Sequence, residues 1–150
     1  MRRKDKEITD KKEIENILKK SQICRIGMVD GDKPYIVPVN FGYKHDTLFF
    51  HTALEGRKID LMKKNPNICF EVDHIEKFKK AKLACDWSIE YKSVIGEGRA
   101  KLLYDPEEKK KGLDMIMAQY SGRTFEYPVE NLEKTLVIKV IIDKMTGKQS

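Results

Sequence analysis

The stretch Leu136-Val137-Ile138-Lys139-Val140-Ile141-Ile142 constrains the fold more than any other part of the chain. It is apolar at every position but Lys139, so it reads as a strand buried on both faces. Such a strand cannot lie on an open surface. Other elements must cover it from either side.

The preceding residues supply those elements. Asp10-Lys11-Lys12-Glu13 has capping-box form, and Ile14, Ile17 and Leu18 follow at helical spacing, which predicts a short amphipathic helix over residues 10–20. The period then changes. Ile23 to Val29 and Tyr35 to Phe41 read as strands joined through the turn Asp30-Gly31-Asp32, and residues 47–52 form a third. A short helix, 57–64, is stopped by Asn65-Pro66, because proline disfavours helical geometry in the residue before it. Residues 68–72 make a strand, 74–82 an exposed lysine-bearing loop or hairpin tip, and 84–95 and 97–104 two strands parted by a bend or bulge at Gly96. Asp105-Pro106-Glu107-Glu108 opens the best-defined helix, whose apolar stripe is Leu113, Ile116, Met117 and Tyr120. The order predicts one α+β domain over residues 1–150, built on a curled or closed antiparallel sheet.

Composition narrows the function classes. At 150 residues, 40% hydrophobic and 36% charged, the chain can enclose a core without disulfides or metals. No apolar run approaches the ~20 residues of a membrane span. Nothing hydrophobic follows the charges of the first seven residues as in a secretory signal. Cys24, Cys69 and Cys85 are odd in number and set among apolar neighbours, which reads as reduced, mostly buried thiols and a cytoplasmic protein. The net charge of +6 comes from lysines interleaved with acids, so it describes a solvated surface. With no zinc-finger spacing and no RNP-type motif, neither nucleic acid nor a membrane is an expected partner. His45, His51 and His74 lack metal-ligand spacing, so no metal is expected. No nucleophile elbow or Walker loop is present.

One segment carries recognisable chemistry: Phe50-His51-Thr52-Ala53-Leu54-Glu55-Gly56-Arg57-Lys58. A strand ends at His51-Thr52, and a helix opens on Gly56 with two adjacent cations. A helix start offers free N–H groups and partial positive charge to an anion. Arg57 can grip phosphate oxygens through paired hydrogen bonds, Lys58 adds a point charge, and His51 and Thr52 can donate from the strand end. Gly56 lets the backbone approach a bound group. The same pattern also begins ordinary surface helices.

This segment resembles the phosphate-binding part of the pyridoxamine 5′-phosphate oxidase-like flavoproteins, and within them the nitroimidazole-resistance (Nim) type. Further positions carry the likeness: Arg2-Arg3-Lys4-Asp5, Tyr35 to Asn40, and Trp87-Ser88 followed by Tyr91 to Gly96. The resemblance implies an FMN-binding split β-barrel with flanking helices, working as a homodimer with the cofactor at the subunit interface. It implies that Pro38, Val39 and Asn40 border the flavin ring and that His51, Thr52, Gly56, Arg57 and Lys58 hold the phosphate and ribityl oxygens. Ser93 stands where the oxidases use a polar residue toward flavin. Trp87 lines the substrate side or packs in the core. No catalytic side chain is evident apart from His51, the one imidazole near the site.

The expected activity is a flavin-dependent reductase, fed by a reduced nicotinamide or another donor and acting on nitroaromatics. The tryptophan-and-arginine ending of the vitamin oxidases is missing, since no tryptophan follows Trp87. A second reading is a non-catalytic flavin store or sensor, in a fold whose relatives also include haem and deazaflavin binders.

Overall fold

The computed structural model describes residues 3–150, so Arg2, where the resemblance begins, lies outside the described residues. Near the N-terminus Glu7–Ile8 forms a short strand, β1. Helix α1, Lys11–Lys20, is capped as its sequence predicts: the Asp10 carboxylate accepts from the Lys12 N–H at 3.1 Å. Glu13 does not fold back to complete the box. Its carboxylate instead accepts from Lys92 Nζ at 2.7 Å, tying the helix to the sheet. Ile14, Ile17 and Leu18 are buried.

Strands β2 (Cys24–Asp30) and β3 (Lys33–Val39) form a hairpin whose turn is closed by Gly31 at φ 65°. After them come β4 (Gly42–Tyr43), β5 (Thr47–Thr52) and helix α2 (Arg57–Lys64). Strands β6 (Asn67–Lys79) and β7 (Ser88–Leu103) make a long hairpin. Helices α3 (Pro106–Tyr120) and α4 (Val129–Glu133) lead into β8 (Leu136–Gln149). The sheet runs β3-β2-β6-β7-β8-β5-β4, with β1 paired to β8, and all pairings are antiparallel. The path is open at β3 and β4, so the sheet curls without closing. Pro34 and Pro38 lie on the edge strand β3, where a missing N–H does not break a ladder.

Strand β8 shows why its first half is mostly apolar. Leu136, Ile138 and Val140 enter the core beside Leu48 and Phe50 of β5. The opposite face carries Val137, which lies under α3 at Gly112; a Cβ there would come within 2.6 Å of Val137 Cγ1. The buried face of α3 is accordingly Lys109, Gly112 and Ile116, rotated from the expected Leu113, Ile116, Met117 and Tyr120. Lys109 is buried with its Nζ donating to the Leu132 carbonyl at 2.9 Å. Tyr120 acts through its hydroxyl, which accepts from Phe41 N–H at 2.9 Å and donates to Gln22 O at 2.7 Å.

Several expectations are corrected. Of the two alternatives for the lysine-bearing segment from His74, the hairpin tip holds and the loop does not: β6 continues to Lys79 and pairs with β7, with a bulge between Ile75 and Lys77. Residues 84–86 form a 3₁₀ turn, and β7 is one strand through Gly96. Gly96 is no bend. It sits under the Phe70 ring, where a Cβ would approach Cζ within 2.3 Å, while the irregularity falls next door, between Glu97 and Gly98. Of the cysteines only Cys24 is buried, and burial pushes its thiol up to about 12; Cys69 and Cys85 are exposed.

Gly42 anchors α3 to the sheet, since a Cβ at this position would stand 2.2 Å from the Met115 carbonyl oxygen. Both partners are backbone, so neither can swing away. Gly42→Ala should cost about 2–3 kcal/mol of stability. Chemical denaturation of the two proteins would read this, and a loss under ~0.5 kcal/mol would mean that the contact relaxes freely.

Candidate functional site

The strand-to-helix connection after β5 sets the geometry. Gly56 precedes α2 at φ 134°, ψ 163°, a backbone conformation open to glycine and strained for other residues. A Cβ at Gly56 would touch nothing within 4 Å, so the residue is required by its dihedral angle and leaves open space beside the helix start. No side chain caps α2. The carbonyl of Gly56 accepts from Ile59 and Asp60, while the first N–H groups of the helix, at Arg57 and Lys58, point out of the N-terminus without an intrahelical acceptor. An uncapped helix start with open space in front of it is a place for an anion.

His51 and Lys58 meet here. Burial first, and the Lys58 ammonium second, hold the His51 imidazole below its ordinary value. The ring is therefore neutral near pH 7, with one N–H to give and one nitrogen to accept. Thr52 is half-buried at the end of β5, paired in register with Leu136.

Arg57 takes a different partner from the one its neighbours suggest. Its Nε and Nη2 both donate to Asp30 Oδ2, at 3.1 and 2.8 Å, and its guanidinium lies 4.4 Å from the centroid of the Tyr35 ring. Asp30 ends β2 and Tyr35 belongs to β3, so this contact ties the helix start to the first hairpin. Both side chains are about half exposed, at 54% for Arg57 and 39% for Asp30, so the pair contributes ~0.2–1 kcal/mol and exchanges readily for a stronger anion. In the sequence, Asp30 reads as turn chemistry alone. Its partner lies 27 residues away, and no local pattern marks it.

The remaining candidates lie on other parts of the sheet. Val39 is buried and faces Cys24, Pro38 points outward from the edge strand, and Asn40 is exposed just beyond it. Ser93 sits on β7 opposite Asp73 and Lys148, three strands along the sheet from β3. Trp87 is not a core residue: it is 52% exposed at the base of the β6–β7 turn, with its indole N–H donating to Ala81 O at 2.7 Å. No hydrogen bond or ion pair among the described residues links Pro38, Ser93 or Trp87 to the His51–Lys58 cluster within one chain.

The outer face of the sheet differs sharply between its halves. Over β4, β5 and β8 it is covered by α3. Over β3, β2, β6 and β7 it is bare, and Val29, Ile36 and Ile95 are 51%, 66% and 56% exposed. A cavity of about 430 Å3 opens on this half, lined among others by Gly27, Ile36, Ile68 and Cys69. Elsewhere on the same half, Arg25 binds both Glu71, at 2.9 Å, and Asp73.

Known proteins share this architecture. Among solved structures, a candidate 5-nitroimidazole antibiotic resistance protein from Bacteroides thetaiotaomicron VPI-5482 superposes with a TM-score of 0.84 at 36% identity, over 95% of this chain and 86% of that one. A flavocytochrome from Azotobacter vinelandii aligns at TM-score 0.83 and 21% identity, over 100% of this chain and 72% of that one. An FAD- and haem-binding protein from Mycobacterium smegmatis gives 0.84 at 18%, over 97% and 73%. These last two share the fold, a split barrel. An uncharacterized protein of Rhizobium meliloti (strain 1021) is 23% identical over 92 residues, 61% of this chain and 54% of that protein, so the chain spans about half the length of this curated relative. The profile of the Pyridoxamine 5'-phosphate oxidase family matches residues 10–149. With nearly its whole length inside that match, the chain belongs to the pyridoxamine 5′-phosphate oxidase-like family.

Proposed function

We propose that the chain is a cytoplasmic FMN-dependent reductase, active as a homodimer and directed at nitroaromatic compounds of the 5-nitroimidazole kind. The observation that carries this reading is the uncapped start of α2, with open space at Gly56 and Lys58 beside a neutral His51. A phosphate monoester fits these groups. It accepts from the free N–H groups of the helix start and from the His51 and Thr52 donors, and Lys58 balances its charge. Arg57 joins by exchanging the Asp30 carboxylate for a dianion, with Tyr35 keeping the guanidinium plane in place. A terminal phosphate favours the mononucleotide FMN. When bound, FMN supplies the hydride and electron transfer for which the chain has no side chain of its own.

The homodimer is supported by the bare half of the sheet. An uncovered half-sheet that exposes Val29, Ile36 and Ile95 and carries a cavity is the kind of surface an interface covers. Ser93 and Pro38 face outward on the same side of the sheet as that patch, so a second copy seated there would meet them. The nitroaromatic substrate class rests on the Bacteroides protein, at 36% identity over 95% of the chain. A reduced nicotinamide is the proposed donor.

The visible spectrum of the purified protein tests the cofactor. Flavin bands that bleach with NADH or NADPH and return with a 5-nitroimidazole support the reductase. A flavin that neither donor reduces would make the chain a flavin carrier, and a Soret band would replace flavin with haem.

Two expectations address the phosphate site. Arg57→Ala should weaken FMN binding by about tenfold to a hundredfold, the equivalent of ~1.5–3 kcal/mol for a charged hydrogen bond. Fluorescence titration measures it, and wild-type affinity in the variant would remove Arg57 from the site. The second concerns His51. Burial and the Lys58 charge hold its imidazole below its ordinary value in the free protein, and a phosphate dianion close by favours the protonated ring. The pKa should therefore rise when FMN binds, as followed by NMR of the ring C–H signals. Riboflavin, which lacks the phosphate, should leave it in place; an equal shift with both ligands would show that the phosphate lies elsewhere.

A further inference from the structure

Two surface segments match each other in charge and in exposed apolar side chains. The first is the end of the β6–β7 hairpin. Strand β6 pairs with β2 only as far as Glu71, and β7 meets β8 only from Lys92 onward, with Tyr91 held by Ser150, so from Glu76 to Glu90 the strands have only each other for a ladder. A two-stranded ribbon alone in water is marginally stable. This one nevertheless exposes Phe78 at 55%, Leu83 at 63% and Trp87 at 52%. Residues 77–83 hold four lysines and no carboxylate. Lys79 pairs with Glu90 at 2.7 Å, while Lys77, Lys80 and Lys82 have no ion-pair partner among the described residues.

The second segment is 124–133, which carries Glu126, Glu130 and Glu133 and no cation. Its Phe125 and Val129 are 42% and 69% exposed. The segment is held firmly on α3: Tyr127 Oη donates to Asp114 at 2.9 Å, Leu132 is buried, and Lys109 binds the Leu132 carbonyl. None of the three glutamates has an ion-pair partner among the described residues. No hydrogen bond or ion pair joins the two segments within the chain.

We propose that the hairpin tip of one subunit docks on segment 124–133 of a second copy, and that two-fold symmetry makes the contact twice. Lys80 and Lys82 of the tip meet the free glutamates, flanked by Lys77 on the ribbon's other face opposite Glu90, and Phe78, Leu83 and Trp87 cover Phe125 and Val129. The inference rests on the homodimer proposed above and adds to it a named contact outside the bare sheet face. That face, over β3, β2, β6 and β7, runs into the hairpin through the continuous β6–β7 ladder, and α3, which α4 packs against, covers the half of the sheet beside it. A second copy accounts for both segments together, whereas an anionic lipid surface would satisfy the lysines and leave the acidic segment bare. The contact supplies register and choice of partner, as complementary charge at a rim does.

Charge reversal tests it. One variant carries Lys77→Glu, Lys80→Glu and Lys82→Glu, the other Glu126→Lys, Glu130→Lys and Glu133→Lys. All six side chains are exposed, so circular dichroism should show both variants folded. In sedimentation equilibrium each alone should dimerise about tenfold or more weakly than the wild type, since like charges then face each other. Mixed one to one, the variants should recover wild-type affinity as heterodimers, because each basic surface again meets an acidic one. Trp87, the single tryptophan, gives a second reading. Its emission should shift to the blue on dimerisation of the wild type and of the mixture, and stay red in either variant alone. A wild-type dimer that both reversals leave unchanged overturns the docking and spares the dimer. A wild-type chain that stays monomeric overturns both. Flotation of the chain with phosphatidylserine vesicles, lost with the lysine reversals, would assign the tip to lipid and overturn the docking.

Discussion

Strand β8 is the constraint on which the rest depends. It pairs with β7 over twelve register positions and with β5 over six, so it joins the long hairpin to the strand that ends at His51 and Thr52. Its inner face builds the core with Leu48 and Phe50; its outer face meets α3 where Val137 lies under Gly112, while Ile141 farther along that face is half exposed. Both contacts are close-packed, so the orientation of β5, and with it the position of the α2 start, is set by packing that tolerates little change. The candidate phosphate site thus lies on a loop, but its two ends are fixed by the core: β5 on one side, and Ile59 and Met62 of α2 on the other.

Much of this order is legible in residue patterns because those patterns are local. Asp10 and Asp105 cap the helices they precede, Asn65-Pro66 ends α2, and the double-faced apolar run of β8 announces its two covers. What escapes is non-local. Period-two alternation marks a strand only when one face is buried and the other wet by polar groups, and the outer ends of β6 and β7 expose Phe78 and Ile89 among lysines. The signal there resembles a charged loop. Gly96 misleads for a related reason: glycine in a strand marks either a bend or a close approach, and only the Phe70 ring across the ladder decides between them. The rotated face of α3 follows the same rule. A glycine and the stem of a lysine look unsuited to a core, yet they let the helix sit down on Val137.

The candidate site divides along the same line. The run from His51 to Lys58 is continuous in sequence, and in the fold the Lys58 charge acts on the His51 ring. Asp30 and Tyr35 come from another hairpin and reach Arg57 only through tertiary structure. Their contact changes what Arg57 is in the free protein: a guanidinium already satisfied by one carboxylate oxygen rather than an open charge. An anion entering the site competes with Asp30, so net affinity depends on the difference between two charged hydrogen-bonded pairs and not on one of them alone.

That competition bears on why the outer face mixes apolar and charged groups. Arg25 is neutralised by Glu71 and Asp73 in the middle of the bare half, and burial already lifts the Glu71 carboxyl above its ordinary value despite the adjacent guanidinium. Covering this triad with another protein removes still more water from one cation and two carboxylates, which opposes association unless Arg25 stays bound to both and the covering surface balances the remaining negative charge. The surrounding apolar side chains, Val29, Ile36 and Ile95, therefore provide the favourable part of any contact, and the triad limits which surfaces can fit over it. A face built in this way is selective: an arbitrary apolar surface would strand the charges, while one shaped to leave them paired gains the full hydrophobic area.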